Sequence, residues 1–243
     1  MEVRNWVSCK WIVIPSLFIA LFAILVITIS DTHVEGDASE LPSLLKMADS
    51  LLEESRYQQA ITYYDRVLAI DSTNVYALYN KALALDGLGR HQEAITYYDK
   101  VLAVKPTDVY ALYNKALALD SLGRHQEAIT DYDKVVAVKP TDKYALYNKA
   151  LALDSLGRRQ EAITYYDKVL AVNSTDKYAL YNKALALDSL GRHQEAVTYY
   201  DRVLAIDSTD VNALYSKALA LRELGRYQEA ITYYWQFLAV RFF

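Results

Sequence analysis

From residue 41 onward the apolar and polar positions of the chain repeat with a period of 34 residues. In its cleanest copy, Val109 to Asp142, the unit reads VYALYNKALALDSLGRHQEAITDYDKVVAVKPTD, and equivalent first positions fall at Leu41, Val75, Val109, Lys143, Lys177 and Val211. Five copies are full and the sixth stops one residue short. A fixed period of this length sets the fold class before any propensity does, because each unit is one supersecondary element that buries its apolar faces only against its neighbours. The first helix of the third copy is predicted over Val109 to Leu122. It is apolar around most of its circumference, with Leu112, Ala116 and Leu119 at i, i+4 and i+7, so it must be covered on more than one side. Gly123 stands where a left-handed C-terminal cap is wanted; Gly89, Gly157, Gly191 and Gly225 fill the same slot, and Ser55 fills it in the first copy. The second helix is predicted from about Gln126 to Val138, burying Ala128, Ile129, Tyr132, Val135 and Val136. Pro140 or Pro106 closes it, with Ser72, Ser174 or Ser208 in other copies. Asn74, Asp108, Asp142, Asp176 and Asp210 then stand in the N-cap position of the next first helix.

The first forty residues follow a different pattern. Trp11 to Ile29, WIVIPSLFIALFAILVITI, carries no charge, and its nineteen residues as a helix reach about 28 Å, the thickness of a bilayer's hydrocarbon core. Arg4 and Lys10 precede it, whereas Asp31, Glu35, Asp37 and Glu40 follow it with no Lys or Arg before Leu45. The positive-inside rule therefore places the amino terminus in the cytoplasm and the repeats on the far side. A cleaved signal peptide is the competing reading: Pro15 and Ser16 shorten the apolar run to Leu17 through Ile29, and Thr28-Ile29-Ser30 is a weak cleavage site near Ser30. Both readings export the repeats. The expected division is a cytoplasmic tail over 1–10, a transmembrane or signal-anchor helix over 11–30, a polar tether over 31–40, and the repeat array over 41–243.

Composition narrows the function. Lys plus Arg total 26 against 30 acidic residues, and the net charge of −4 gives no long-range attraction to a phosphate backbone, which argues against nucleic acid. The single cysteine, Cys9, provides no disulfide framework, no cysteine metal cluster and no nucleophile within the repeats; beside a membrane it is a weak candidate for acylation. His91, His125 and His193 share one turn slot that Tyr57, Arg159 and Tyr227 fill in other copies. Equivalent atoms in successive layers lie at least about 8–10 Å apart, too far to share a metal. No H-E-x-x-H, phosphate-cradling glycine loop or G-x-S-x-G is present. No cofactor, metal or catalytic residue is expected. Asn173-Ser174-Thr175 is a glycosylation sequon, meaningful only in a secreting eukaryote.

At Leu112-x-x-Lys115-Ala116-x-x-Leu119, then Ala128-x-x-x-Tyr132, then Pro140, the chain resembles the tetratricopeptide repeat family, whose pattern is W-x-x-L-G-x-x-Y, then A-x-x-x-F, then P. The spacing is kept over residues 41 to 243 while residue types drift. Lys81, Lys115, Lys149, Lys183 and Lys217 stand where the family has Leu, and a lysine there is expected to lay its stem on the apolar face and keep its ammonium in water. The resemblance implies an all-α fold: a right-handed superhelical solenoid of six helix-turn-helix repeats with the first helices lining the concave wall. Here it is preceded by one N-terminal transmembrane helix. Pentatricopeptide repeats have a 35-residue period and a basic groove, and neither is present.

On the wall the resemblance points to, one helical face of each central copy carries two tyrosines, an asparagine and an aspartate: Tyr76, Tyr79, Asn80 and Asp86; Tyr110, Tyr113, Asn114 and Asp120; Tyr144, Tyr147, Asn148 and Asp154; Tyr178, Tyr181, Asn182 and Asp188. A binding groove is one reading of this stripe and surface packing the other. As a groove it would take an extended peptide or partner helix of basic or neutral character, since tyrosine offers apolar area with a polar tip and asparagine both donates and accepts. Some family members clamp a partner's terminal carboxylates with Lys, Arg and Asn; the tyrosines and aspartates here argue against that clamp. In the sixth copy Trp235 and Gln236 stand where other copies have Asp and Lys or Arg, and Phe237, Phe242 and Phe243 follow. This end is expected to dock on another copy, a partner or the membrane, unless the reading frame is cut short. The function expected is a membrane-tethered, non-enzymatic protein-binding scaffold. The alternatives are an array that self-associates end to end and an accessory subunit of an exported complex.

Overall fold

The computed structural model describes residues 37–242. Cys9, the expected transmembrane helix over 11–30, the tether as far as residue 36, and Phe243 lie outside the described residues. Among the described residues no helix is long and apolar enough to cross a membrane. Residues 37–40 are not free linker: the Asp37 side chain accepts from the Ser39 N–H and caps a 3-10 turn, Ala38–Glu40, that runs into the first repeat.

The described chain is all-α, with twelve α-helices in six antiparallel pairs: α1 Leu41–Glu53 with α2 Tyr57–Ile70, α3 Val75–Gly87 with α4 His91–Val104, α5 Val109–Ser121 with α6 His125–Val138, α7 Lys143–Ser155 with α8 Arg159–Val172, α9 Lys177–Ser189 with α10 His193–Ile206, and α11 Val211–Glu223 with α12 Tyr227–Phe242. Each odd-numbered helix starts on a side-chain cap where the chain supplies one. Asn74 accepts from the Ala77 N–H at 3.0 Å, Asp108 from Tyr110 and Ala111, and Asp142, Asp176 and Asp210 repeat the contact. The turn between paired helices needs a left-handed residue. Gly123 holds φ 73°, and Ser55 in the first pair is forced to φ 59°.

The even-numbered helices start one residue earlier than the apolar pattern predicts, at His125 in the third unit, and their N-caps use no side chain. Arg124, at that cap, instead forks onto Glu127 with two 2.7 Å bonds and sends its third nitrogen to Gln92 of the preceding unit at 3.1 Å. Arg90, Arg158, Arg192 and Arg226 do the same with Gln58, Gln126, Gln160 and Gln194. These are exposed bonds that mark register more than they add stability.

Small and large side chains alternate through the core. Ala77, Ala111, Ala145, Ala179 and Ala213 let each odd helix approach the even helix before it, while Tyr64, Tyr98, Tyr132, Tyr166 and Tyr200 are wholly buried at the centre of each layer. Every even helix from α2 to α10 is packed between its own partner and the first helix of the next unit. Successive odd helices also touch directly, as α3 does α5 and α5 does α7, which puts them on the inner wall.

The lysines differ from the expectation of a wet ammonium. Lys81 is only 6% exposed, and its Nζ donates to Asp65 of the preceding unit and, at 2.5 Å, to the Tyr97 hydroxyl of its own unit. It also sits 4.0 Å from the centroid of the Tyr97 ring. Lys149, Lys183 and Lys217 repeat the pairing, with Asp133, Asp167 and Asp201. In the third unit Asp131 replaces the tyrosine, and Lys115 pairs with Asp99 at 2.7 Å and Asp131 at 3.2 Å. The snorkelling expectation fails because the place where the ammonium would meet water is filled by the preceding even helix, which supplies a carboxylate instead. Burial works against the charge of Lys81, and the bonds from Asp65 and Tyr97 outweigh it, so its pKa is raised.

Breaking this pair from one side strands a buried ammonium. Asp65→Ala is expected to destabilise the array by about 1–2 kcal/mol, a figure lowered because Asp65 is half-exposed, whereas Lys81→Leu, the residue type the family uses, is expected to be neutral or stabilising. Urea unfolding followed by circular dichroism checks both. Equal losses in the two variants would mean that the pair is a net source of stability.

Candidate functional site

The inner wall carries the stripe of tyrosines, asparagines and aspartates, and the structure divides it by depth. Tyr76, Tyr110, Tyr144 and Tyr178, the second residues of four successive odd helices, are exposed, Tyr178 to 69%. Tyr79, Tyr113, Tyr147 and Tyr181, three residues later, are half-buried, and each ring packs at about 6 Å against the buried tyrosine of its own even helix. Asn114, Asn148 and Asn182 are committed to the neighbouring unit: their amides donate to the hydroxyls of Tyr79, Tyr113 and Tyr147 at 2.7–2.8 Å. Ser216 replaces asparagine in the sixth unit and lies 3.2 Å from the Tyr181 hydroxyl. Asn80 is buried. These asparagines therefore join successive odd helices, and their amides do not face open groove.

The aspartates are similarly occupied. Asp86 lies 3.0 Å from His91 Nδ1 and accepts from the Tyr98 hydroxyl at 3.0 Å; Asp120 has the same pair in His125 and Tyr132. His193 contacts Asp188 at 2.5 Å, and in the fourth unit Arg159 approaches Asp154 at 3.4 Å. Burial pushes the Asp86 carboxyl up, and its bonds to His91 and Tyr98 offset that only in part. The three histidines thus hold the end of the odd helix to the start of the even one. Among the described residues no group of three or more His, Cys, Asp or Glu is placed to hold a metal.

Between consecutive exposed tyrosines the wall is recessed. One recess of about 430 Å³ is lined by Lys143, Tyr144, Tyr147, Asn173, Thr175, Asp176, Lys177 and Tyr178. A second of about 210 Å³ lies among Val75, Tyr76, Tyr79, Lys105, Asp108 and Tyr110, and a third of about 250 Å³ among Lys177, Tyr178, Tyr181, Asp210 and Asn212. The lysines are the residues the sequence pattern passes over. Lys143, the first residue of α7, lies 4.9 Å from the Tyr144 ring, and Lys139, just after α6, lies 5.2 Å from the Tyr110 ring. A lysine at the first position of a copy, as at Lys143 and Lys177, is the available signal, but it falls outside any helical face that periodicity singles out. Asn173 of the sequon accepts from its own Thr175 on the rim of the recess beside Tyr144 and Tyr178.

At the other candidate surface, Trp235 and Phe242 are both 67% exposed. Phe237 is not part of that surface. It is half-buried and packs at 5.2 Å against Tyr215 of its own unit, because it occupies the slot that holds the buried Val67 or Val101 in other units. Phe243 lies outside the described residues.

Tetratricopeptide repeat models match residues 45–108, 79–144 and 147–211, and a second model of the same description matches 199–232. No curated protein matches the chain significantly in sequence. Among solved structures, MamA is similar at 26% identity over 68% of this chain and 91% of its own, with a TM-score of 0.66. YrrB, described as a TPR protein with an unusual peptide-binding site, is 17% identical over 73% of this chain and 92% of its own, with a TM-score of 0.65. A tetratricopeptide repeat protein from Parabacteroides merdae is 20% identical over 81% of this chain and 78% of its own, with a TM-score of 0.71. At these last two identities the likeness is one of fold.

The buried tyrosines make the array alkali-sensitive. Burial, together with the neighbouring aspartates, raises the hydroxyl pKa of Tyr64, Tyr98, Tyr132, Tyr166 and Tyr200 far above the ordinary value. A pKa raised in the folded state stabilises it fully below the unfolded value of about 10 and progressively less above it. Raising the pH beyond about 10 is therefore expected to destabilise the array, with these five hydroxyls ionising only as it unfolds. Tyrosinate absorbance and helical ellipticity recorded on the same samples check this; ionisation of all 22 tyrosines with ellipticity intact would contradict it.

Proposed function

Because the chain belongs to the tetratricopeptide repeat family, matched by its models from residue 45 to 232, we propose that it is a non-enzymatic scaffold that binds a protein partner through an extended segment laid along the inner wall. The observation that carries this is the row of exposed tyrosines Tyr76, Tyr110, Tyr144 and Tyr178 with recesses between them. One unit's advance along the stack is about 10 Å, the packing distance between helices, and an extended peptide covers that in about three residues. In the polyproline II conformation, with three residues per turn and about 3.1 Å rise per residue, every third side chain of such a segment would meet an equivalent recess. The recess walls are apolar tyrosine faces with a lysine and an aspartate at the mouth, which suits a neutral segment bearing aliphatic or aromatic side chains. The family's fold supports the same reading: YrrB carries a peptide-binding site on it.

Fifteen of the sixteen residues of the stripe, all but the buried Asn80, take two parts in this proposal. The four exposed tyrosines contact the partner. The half-buried tyrosines, with Asn114, Asn148 and Asn182, set the curvature of the wall that presents them, and Asp86, Asp120, Asp154 and Asp188 fix the turn between paired helices. Tyr144→Ala with Tyr178→Ala is expected to weaken partner binding at least about tenfold while leaving thermal stability within about 0.5 kcal/mol per site, since both side chains are mostly in water. Binding is read by co-purification with mass spectrometry and then by titration of the recovered partner. Unchanged recovery would refute groove binding.

We further propose that the uncharged stretch Trp11 to Ile29 tethers the array to a membrane with the repeats on the extracytoplasmic side, or is removed near Ser30 after export. Protease added to the cytoplasmic face of sealed vesicles is expected to spare the repeats. Their digestion from that face would overturn the orientation.

A further inference from the structure

Within the array, each junction between units is built from two recurring contacts in fixed slots. One is the buried lysine of an odd helix against the aspartate of the preceding even helix, as in Lys81 on Asp65. The other is an arginine nitrogen on the preceding unit's glutamine, as in Arg90 on Gln58. Both members of the first contact change together at the outer units. The lysine slot of unit 1 holds Met47, which is 47% exposed, and the aspartate slot of unit 6 holds Trp235. A charged pair has become an apolar pair whose two members lie at opposite ends of the same molecule. The second contact is kept: Arg56 stands at the unit 1 end and Gln228 at the unit 6 end, both exposed. The Arg56 nitrogen that elsewhere reaches the preceding unit is turned onto Glu54 at 3.0 Å.

The shapes of the two faces match as well. On α12, Ile231, Trp235 and Leu238 stand exposed at i, i+4 and i+7. Ile61, Asp65 and Leu68, their equivalents in α2, lie in the junction with α3. On unit 1 a depression of about 260 Å³ is lined by Met47, Leu51, Arg56, Gln59, Thr62 and Tyr63. By analogy with Asp65 on Lys81 and Tyr97, the side chain of a preceding even helix in the Trp235 slot falls on Met47 and Tyr63. Indole against thioether and phenol is a favourable contact of soft and aromatic groups. Ser43 and Ser50 of α1 replace the buried Ala77 and Ala84 of α3, so the face stays small enough for a helix to approach yet tolerates water. A face of this kind suits reversible association.

We propose that the chain stacks head to tail on a second copy of itself, unit 6 of one molecule continuing into unit 1 of the next, with Trp235 seated on Met47 and Tyr63 and Arg56 donating to Gln228. The contact is heterologous and extends the solenoid's own repeat, so it leaves one open face at each end and propagates as a linear array. It is independent of groove binding, because the tyrosine wall is not part of the junction.

Sedimentation equilibrium of the full chain in a density-matched detergent tests the register. The wild type is expected to gain mass with concentration, and Trp235→Asp to associate at least about tenfold more weakly, as a carboxylate then faces Met47. Adding Met47→Lys to Trp235→Asp installs the array's own pair and is expected to restore association in a salt-sensitive form. Both sites are largely exposed, and unchanged helical ellipticity verifies folding. A wild type that stays monomeric overturns the proposal, as does Trp235→Asp assembling like wild type through residues 1–36 or another surface. A double variant no stronger than Trp235→Asp alone also overturns it.

Discussion

Each helix pair in this chain has apolar side chains on two sides, and its own two helices cover only one. The second side is closed by the first helix of the next unit, so no pair is stable by itself and the layers stand or fall together. The small residues at Ala77, Ala111, Ala145, Ala179 and Ala213 set how near that next helix comes, and the buried tyrosines from Tyr64 to Tyr200 fill what remains. Burial of this kind is non-directional and leaves register open. The lysine slot closes that gap, because an ammonium taken out of water is tolerated only where Asp65, or its equivalent one unit on, meets it.

The same constraint decides what is left for function. Once Asn114 is joined to Tyr79, and Asp86 to His91 and Tyr98, the inner wall has little polar chemistry to offer beyond the exposed tyrosines and the lysines near them. That wall offers apolar surface repeated at one-unit intervals. Among the described residues nothing on that wall points to catalysis. The outer units depart from the consensus at the slots that make junctions inside the array.

Much of the fold was legible in the residues. The period, the two helices per unit, the aspartate caps and the left-handed glycine slot are local features, fixed by 3.6-residue spacing and by which residues tolerate φ near 70°. The lysine environment was misjudged from one helix alone, although its signal was present: an aspartate stands 16 residues before each of Lys81, Lys115, Lys149, Lys183 and Lys217. That coincidence has no meaning on a single helical face and acquires one only when the preceding helix is laid alongside.

By itself the sequence determined that this is an all-α stack of tetratricopeptide repeats, where each helix begins and ends to within about a residue, and which tyrosines share one helical face. It did so because capping, turn geometry and amphipathic spacing act within a few residues. Only the tertiary structure decided which members of that face are free. Tyr110 and Tyr113 are three residues apart on one helix, yet one is in water and the other accepts from an asparagine in the next unit. Depth in a solenoid is set by the neighbouring layer, 34 residues away along the chain and in contact with it in space.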